Sequence, residues 1–215
     1  MIRILIADDH KIVREGLKQL LACENGLVVA GEAANGLEAL KQLREQPFDV
    51  ALMDMSMPGR SGIELIKQIK SEKPKLAILV LSMHKEEQYA VRALKAGAAG
   101  YLTKESASDQ LVAAIRKVAG GGAFISVSVA ERLALELGSN HDTAPHTRLS
   151  DREYQIFRMI VSGTAIGIIA DELSLSVKTV STHKTRIMQK MNMANSAELI
   201  HYAIRHQLVE LPGAS

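Results

Sequence analysis

Along the first half of the chain, short apolar runs alternate with longer stretches in which apolar positions recur every three or four residues. Ile2–Ala7 is the first such run and stops at Asp8 and Asp9; over 11–21, Ile12, Val13, Leu17, Leu20 and Leu21 then fall at helical spacing. The same cycle predicts strands over 27–33, 48–53, 76–82 and 100–103. Helices are predicted over 36–46, with Leu37, Leu40 and Leu43 on one face, and over 62–71, 85–96 and 108–118. Such alternation predicts an α/β fold, a doubly wound five-stranded parallel sheet with helices on both faces. The unbroken apolar run over 77–81 fits a strand buried on both sides.

Beyond Gly120-Gly121-Gly122 the alternation stops. An amphipathic stretch over 127–137 gives way to a polar segment over 138–146, read as a mobile tether in which His141 and His146 are solvated. From Leu149 onward only helical spacing remains. Ser150 and Glu153 match a capping box, Leu149 and Tyr154 a hydrophobic staple, and Ser176 caps a helix over 177–191. The expected organisation is a domain over 1–121, a linker with a short helix over 122–146, and a small all-α four-helix domain over 147–215.

The composition narrows the function. A chain of 215 residues, 47% of them hydrophobic, suits two domains. It carries no apolar run long enough for a membrane span or a leader, so a cytoplasmic protein is expected. The one cysteine, Cys23, excludes an internal disulfide and reads as a small packing residue. Four Tyr, three Phe and no Trp argue against a stacking platform for single-stranded nucleic acid. Net charge is only +2, yet Lys178, Lys184, Arg186 and Lys190 share a fifteen-residue stretch without a single acid. That points to one local docking surface.

In a parallel sheet, ligands bind beyond the carboxyl ends of the strands. The residues there are Asp8 and Asp9, Asp54, Ser82 and Lys104. Three crowded carboxylates ask for a hard divalent cation, Mg²⁺, which would leave Asp54 able to attack phosphorus. Ser82 and Lys104 can then bond the phosphoryl oxygens. His10 reads as a cap of the first helix rather than a metal ligand, and Met53, Met55 and Met57 flank Asp54.

Residues 1–121 resemble the receiver domain of a two-component response regulator. The matching residues are Asp8-Asp9, Asp54 with Met57-Pro58-Gly59, Ser82, Tyr101 and Lys104. The resemblance implies that Asp54 accepts a phosphoryl group from a sensor histidine kinase. It also implies that Asp9, Asp54 and the Ser56 carbonyl bind Mg²⁺, with Asp8 acting through water, and that Ser82 and Tyr101 form a switch pair. Glu105 stands where many receivers have proline.

On the predicted helix over 177–191, Val180, Ile187 and Met191 line up toward a core. Lys178, Ser181, Thr182, Thr185 and Gln189 face away. Ser181, Thr182 and Thr185 are expected near base edges, with Lys178, Thr179, Lys184 and Arg186 completing the contacts, the basic ones at phosphates. Residues 148–211 resemble the LuxR-type helix-turn-helix through Leu149-Ser150-x-Arg152-Glu153, Gly163, Ile169-Ala170, Leu173, Ser176-Val177-Lys178-Thr179-Val180, His183 and Lys190-Met191. Ile166-Gly167-Ile168 departs from that pattern and predicts an exposed apolar patch.

Together the two resemblances imply the NarL/FixJ class: a transcription regulator switched by phosphorylation of Asp54. The implied partners are a sensor kinase, double-stranded DNA, a second copy through the last helix around 199–203, and RNA polymerase, with no membrane. One competing reading is a DNA binder with a vestigial receiver. Another is an aspartyl phosphohydrolase, disfavoured because Ser56 stands where that chemistry needs a second Asp. Self-phosphorylation and slow self-dephosphorylation are the only catalysis expected.

Overall fold

Five strands, β1 (Ile2–Ala7), β2 (Leu27–Ala33), β3 (Val50–Asp54), β4 (Ala77–Ser82) and β5 (Gly100–Thr103), pair in parallel in the order β2-β1-β3-β4-β5. The computed structural model describes residues 1–57, 62–82, 87–104, 107–138, 144–206 and 208–209. Pro58 and Gly59 of the predicted loop, Glu105 and His141 lie outside them. The helices between the strands are α1 (Lys11–Ala22), α2 (Gly36–Glu45), α3 (Gly62–Glu72), α4 (Glu87–Lys95) and α5 (Ala107–Ala119). The fold is the flavodoxin-like doubly wound sheet that the alternation predicts.

Alternation along each strand divides the core between the two faces. Ile4, Ile6, Val50, Leu52, Leu79 and Leu81 cluster with Leu17 and Leu21 of α1 and Leu111, Ile115 and Val118 of α5. The intervening residues Leu5, Met53, Ile78 and Val80 are buried as well, so the sheet is covered on both sides. Ile12 is not part of this core and is 87% exposed. It sits nine residues before Leu21, which at about 100° per residue places it on the opposite side of α1. Leu37, in the first turn of α2, is also exposed. Cys23 ends α1 and is exposed rather than packed.

The chain divides into two compact units, Met1–Gly138 and Ser139–Ser215. The residues expected to form a linker helix therefore belong by contact to the first unit. Phe124 bridges Gly100 in parallel; its amide donates to the Ala99 carbonyl (3.0 Å) and its carbonyl accepts from the Tyr101 amide (3.0 Å). The segment before α6 (Val127–Gly138) thus adds one bridge to the free edge of β5, and α6 packs on α4.

In the second unit, a 3-10 turn (Pro145–Arg148) leads into α7 (Asp151–Val161), α8 (Ile166–Glu172), α9 (Val177–Met191) and α10 (Ser196–Arg205). Both halves of the capping box at Ser150 and Glu153 are formed, and Leu149 and Tyr154 are buried. Ser176 accepts from the Thr179 amide at the start of α9 (3.0 Å), and Asn195 from that of Glu198 at the start of α10 (3.0 Å). His146 is buried, contrary to its expected solvation: its Nδ1 lies 2.6 Å from the Tyr202 hydroxyl, which ties the 3-10 turn to α10.

Gly100 is the residue on which the β5 edge depends. A Cβ there would stand 2.8 Å from the Phe124 carbonyl oxygen and 2.8 Å from Leu79. Gly100→Ala should destabilise the first unit by about 1–3 kcal/mol. Hydrogen exchange should show loss of protection at the Tyr101 and Phe124 amides before the rest of the sheet.

Candidate functional site

Asp8 follows β1, Asp54 ends β3, Ser82 ends β4 and Lys104 follows β5, so one edge of the sheet gathers them. Asp8 and Asp54 are each 1% exposed, and Ser82 is fully buried. The Lys104 amide donates to the Ser82 carbonyl (2.8 Å), extending the β4–β5 ladder and delivering the side chain to the site. Lys104 Nζ stands 2.7 Å from Asp8 Oδ2 and 3.0 Å from Asp54 Oδ2. On the other side, Asp8 Oδ1 accepts from the His10 amide (2.8 Å) and Asp54 Oδ1 from the Ser56 amide (3.2 Å).

Burial sets the electrostatics. It pushes the Asp54 carboxyl above its ordinary value, against the Lys104 charge and with the Asp8 charge. Burial also works against the Lys104 charge, but the bonds to Asp8 and Asp54 outweigh it and hold the ammonium above its ordinary value. Tyr101 on β5 is buried, and its side chain is hydrogen-bonded to Ser82. Burial and the Asp54 charge push the phenol up to about 12, with Ser82 opposing. Met53, Met55 and Met57 are buried around Asp54.

Asp8, Asp9, His10 and Asp54 each offer a ligand atom, and these atoms lie within 4.8 Å of one another. Asp8 Oδ2, Asp9 Oδ1 and Asp54 Oδ2 are sealed from solvent; among the described residues Lys104 lies against the first and third and the His10 ring against the second. Three carboxylates facing one ammonium leave excess negative charge and spare lone pairs. The donor set fits a hard divalent cation. His10 occupies the cap position of α1, but its side chain makes no cap bond. Its Nδ1 instead lies 2.8 Å from Asp9 Oδ1 and 3.3 Å from Asp8 Oδ1. The local sequence suggested a cap because the position is right; the adjacent acids draw the ring away.

In the second unit, α9 turns Val180, Ile187 and Met191 inward and leaves Lys178, Ser181, Thr182, Thr185, Arg186 and Gln189 exposed, with Thr179 and Lys184 partly so. The Thr182 and Thr185 hydroxyls donate to the Lys178 and Ser181 carbonyls (2.9 and 3.1 Å), leaving their lone pairs free to accept. Lys190, the fourth basic residue, is engaged elsewhere: its Nζ lies 2.6 Å from Oε2 of buried Glu153. Arg152 donates to the Leu173 carbonyl (2.9 Å) at the end of α8, fixing the turn before α9. These long-range partners leave no periodic signal in one sequence. Ile168 is 52% exposed, as its departure from the pattern predicts.

Residues 4–116 match the family described as response regulator receiver domain, and residues 147–203 the bacterial regulatory proteins of the luxR family. Response regulator UvrY of Escherichia coli strain K12 is 40% identical over 209 residues, 97% of this chain and 96% of that protein. The chain belongs to the NarL/FixJ class of two-component response regulators. The regulator also resembles RcsB of Salmonella enterica serovar Typhimurium bound to promoter rprA in the presence of phosphomimetic BeF3⁻. That likeness has a TM-score of 0.65 at 28% identity and covers 94% of this chain and 97% of the other. A structure of two RcsB dimers bound to two parallel DNAs matches with a TM-score of 0.58 at 30% identity, over 94% and 98% of the two chains. Both matched families are regulatory, so the phosphohydrolase reading gives way. Among the described residues, no helix is long and apolar enough to cross a membrane.

The Glu153–Lys190 bond carries a pH dependence. Burial raises the Glu153 carboxyl, but Lys190 and the Ser150 amide and hydroxyl outweigh it, so its pKa in the folded regulator lies below the ordinary 4.5. A depressed carboxylate stabilises the fold above its unfolded value and loses that contribution as pH falls through the folded one. Unfolding curves should show wild type losing stability below about pH 4.5 more steeply than Glu153→Gln. At pH 7 the variant should be weaker by about 1–3 kcal/mol.

Proposed function

We propose that the protein is a cytoplasmic transcription regulator in which Asp54 accepts a phosphoryl group from the phosphohistidine of a sensor histidine kinase. The observation that carries this reading is Lys104 held between two buried carboxylates at the strand ends. An Asp54 oxygen bonds to phosphorus as the phosphorus–nitrogen bond breaks, and the imidazole keeps the electron pair and takes up a proton. Lys104, already charged and desolvated, meets the negative charge that builds on the phosphoryl oxygens. Asp9, Asp54 and the carbonyl of Ser56 would hold Mg²⁺, with Asp8 acting through water. Bound there, the ion offsets the repulsion between the carboxylates and the incoming phosphoryl group.

Ser82 and Tyr101 read the result. The Ser82 hydroxyl, bonded to the Tyr101 side chain, is the hydroxyl that turns to the phosphoryl group. Tyr101 then adjusts in a cavity of about 190 Å³ that it shares with Ala90, Phe124 and Val129. Its amide is bonded to Phe124, so the change passes directly into the segment leading to α6.

The output surface is α9, with Ser181, Thr182 and Thr185 at base edges and Lys178, Thr179, Lys184 and Arg186 supporting them. The RcsB complexes with promoter DNA support this reading, and the RcsB dimers support a paired arrangement on DNA. A single recognition helix reads few base pairs, so two copies give useful specificity. Leu199 and Ala203 are fully buried inside the unit, so pairing through α10 falls to the exposed Ile200 and Ile204 instead. RNA polymerase is the natural further partner of a promoter-bound regulator.

Acetyl phosphate with Mg²⁺ should add one phosphoryl group to the wild-type chain and none to Asp54→Asn, as read by intact-mass spectrometry. Promoter affinity that stays the same after phosphorylation would leave only the vestigial-receiver reading. On DNA, Thr182→Ala should relax discrimination at one position by about 1–3 kcal/mol. Lys178→Ala should weaken all sequences alike and lower the salt slope by about one.

A further inference from the structure

We infer that His10 makes the acidic pocket a mixed nitrogen–oxygen site, able to coordinate a borderline divalent ion such as Mn²⁺ through imidazole Nδ1. The inference rests on the reading of Asp8, Asp9 and Asp54 as the metal pocket and adds to it a ligand from this chain. Three observations carry it. The His10 side chain makes no cap bond although it stands at the cap position of α1. Its Nδ1 is directed at the acids, 2.8 Å from Asp9 Oδ1 and 3.3 Å from Asp8 Oδ1. Asp8 and Asp54, both 1% exposed, face the same pocket, and with Asp9 they outnumber the Lys104 ammonium that lies against their Oδ2 atoms.

The spacings suit a single ion. Neighbouring ligands on an octahedron with bonds of about 2.1 Å are about 3 Å apart, and opposite ones about 4.2 Å. The separations of His10 Nδ1 from the two acids match the neighbouring distance. The ligand atoms of the full four-residue set lie within 4.8 Å of one another, so a single ion would need them to close by a few tenths of an ångström. Mg²⁺ draws little from imidazole and keeps its waters, whereas Mn²⁺ and later transition ions accept nitrogen donors. The ring therefore biases the pocket toward Mn²⁺ without weakening its hold on Mg²⁺. The exposed position of His10 leaves room for the ring to follow the ion.

Electron paramagnetic resonance of the full chain with one equivalent of Mn²⁺ tests this. Wild type should show nitrogen modulation from a bound imidazole, and His10→Gln should lose it. The variant should bind Mn²⁺ at least about tenfold more weakly, since losing even an outer partner of a ligand costs that much. Its Mg²⁺ affinity should stay within about twofold of wild type. Because His10 is 64% exposed and makes no cap bond, the substitution leaves the fold intact. Stoichiometric Mn²⁺ binding without nitrogen modulation, or equal Mn²⁺ affinity in the two proteins, would overturn the role of His10 and leave the carboxylate pocket standing. Absence of Mn²⁺ and Mg²⁺ binding from both proteins would instead overturn the pocket itself.

Discussion

The first unit is organised around an electrostatic problem that its own sheet creates. β1 and β3 are sealed on both faces, and this burial delivers Asp8 and Asp54 to a place where neither carboxylate is solvated. Two unsolvated charges at such proximity are costly. Lys104 answers them from β5, two strands away from β3, and is itself penalised by burial. The three groups are stable only together, and even then the acids outnumber the ammonium. That surplus suits the site to a cation, and the Lys104 ammonium stands beside Asp54. A surface carboxylate paired with a surface lysine would be screened and would supply little of this.

The same strand that supplies Lys104 also supplies the route outward. Tyr101 is bonded at both ends, its side chain to Ser82 at the pocket and its amide to Phe124 outside the sheet. Tyr101 thus links Ser82 to the segment before α6 through a single residue. Gly100 makes that geometry possible, because any side chain there would meet the Phe124 carbonyl. Residues 122–138, the first part of the stretch expected to be a linker with a short helix, group by contact with the first unit.

How much of this was legible in the sequence depended on the range of each interaction. Alternating runs located the five strands and the helices between them to within about two residues, because burial on both faces forces apolar continuity. The pocket residues were also legible, since strand order alone brings the ends of β1, β3, β4 and β5 to one edge. Single side chains were less so. His146 sat in a polar segment and read as solvated, yet a bond to Tyr202, fifty-six residues on, buries it. Ile12 satisfied local spacing but lay on the wrong side of α1. Leu199 and Ala203 bound the stretch expected to pair, yet both are buried inside the second unit, while Ile200 between them is exposed.

The recognition helix shows why counting charges misleads. Four cations without an acid pointed to a docking surface, but only three of them, Lys178, Lys184 and Arg186, were expected at phosphates, and the fourth, Lys190, is bonded to Glu153. That pair joins the capping box of α7 to the far end of α9, so one carboxylate both starts one helix and anchors the other. The reading face of α9 is consequently set by a bond made on its opposite side. Because Glu153 is buried, removing Lys190 leaves an acid with only the Ser150 groups to stabilise it, and the helix loses its anchor along with the charge. The placement of the exposed threonines thus depends on a bond made by a side chain outside their face.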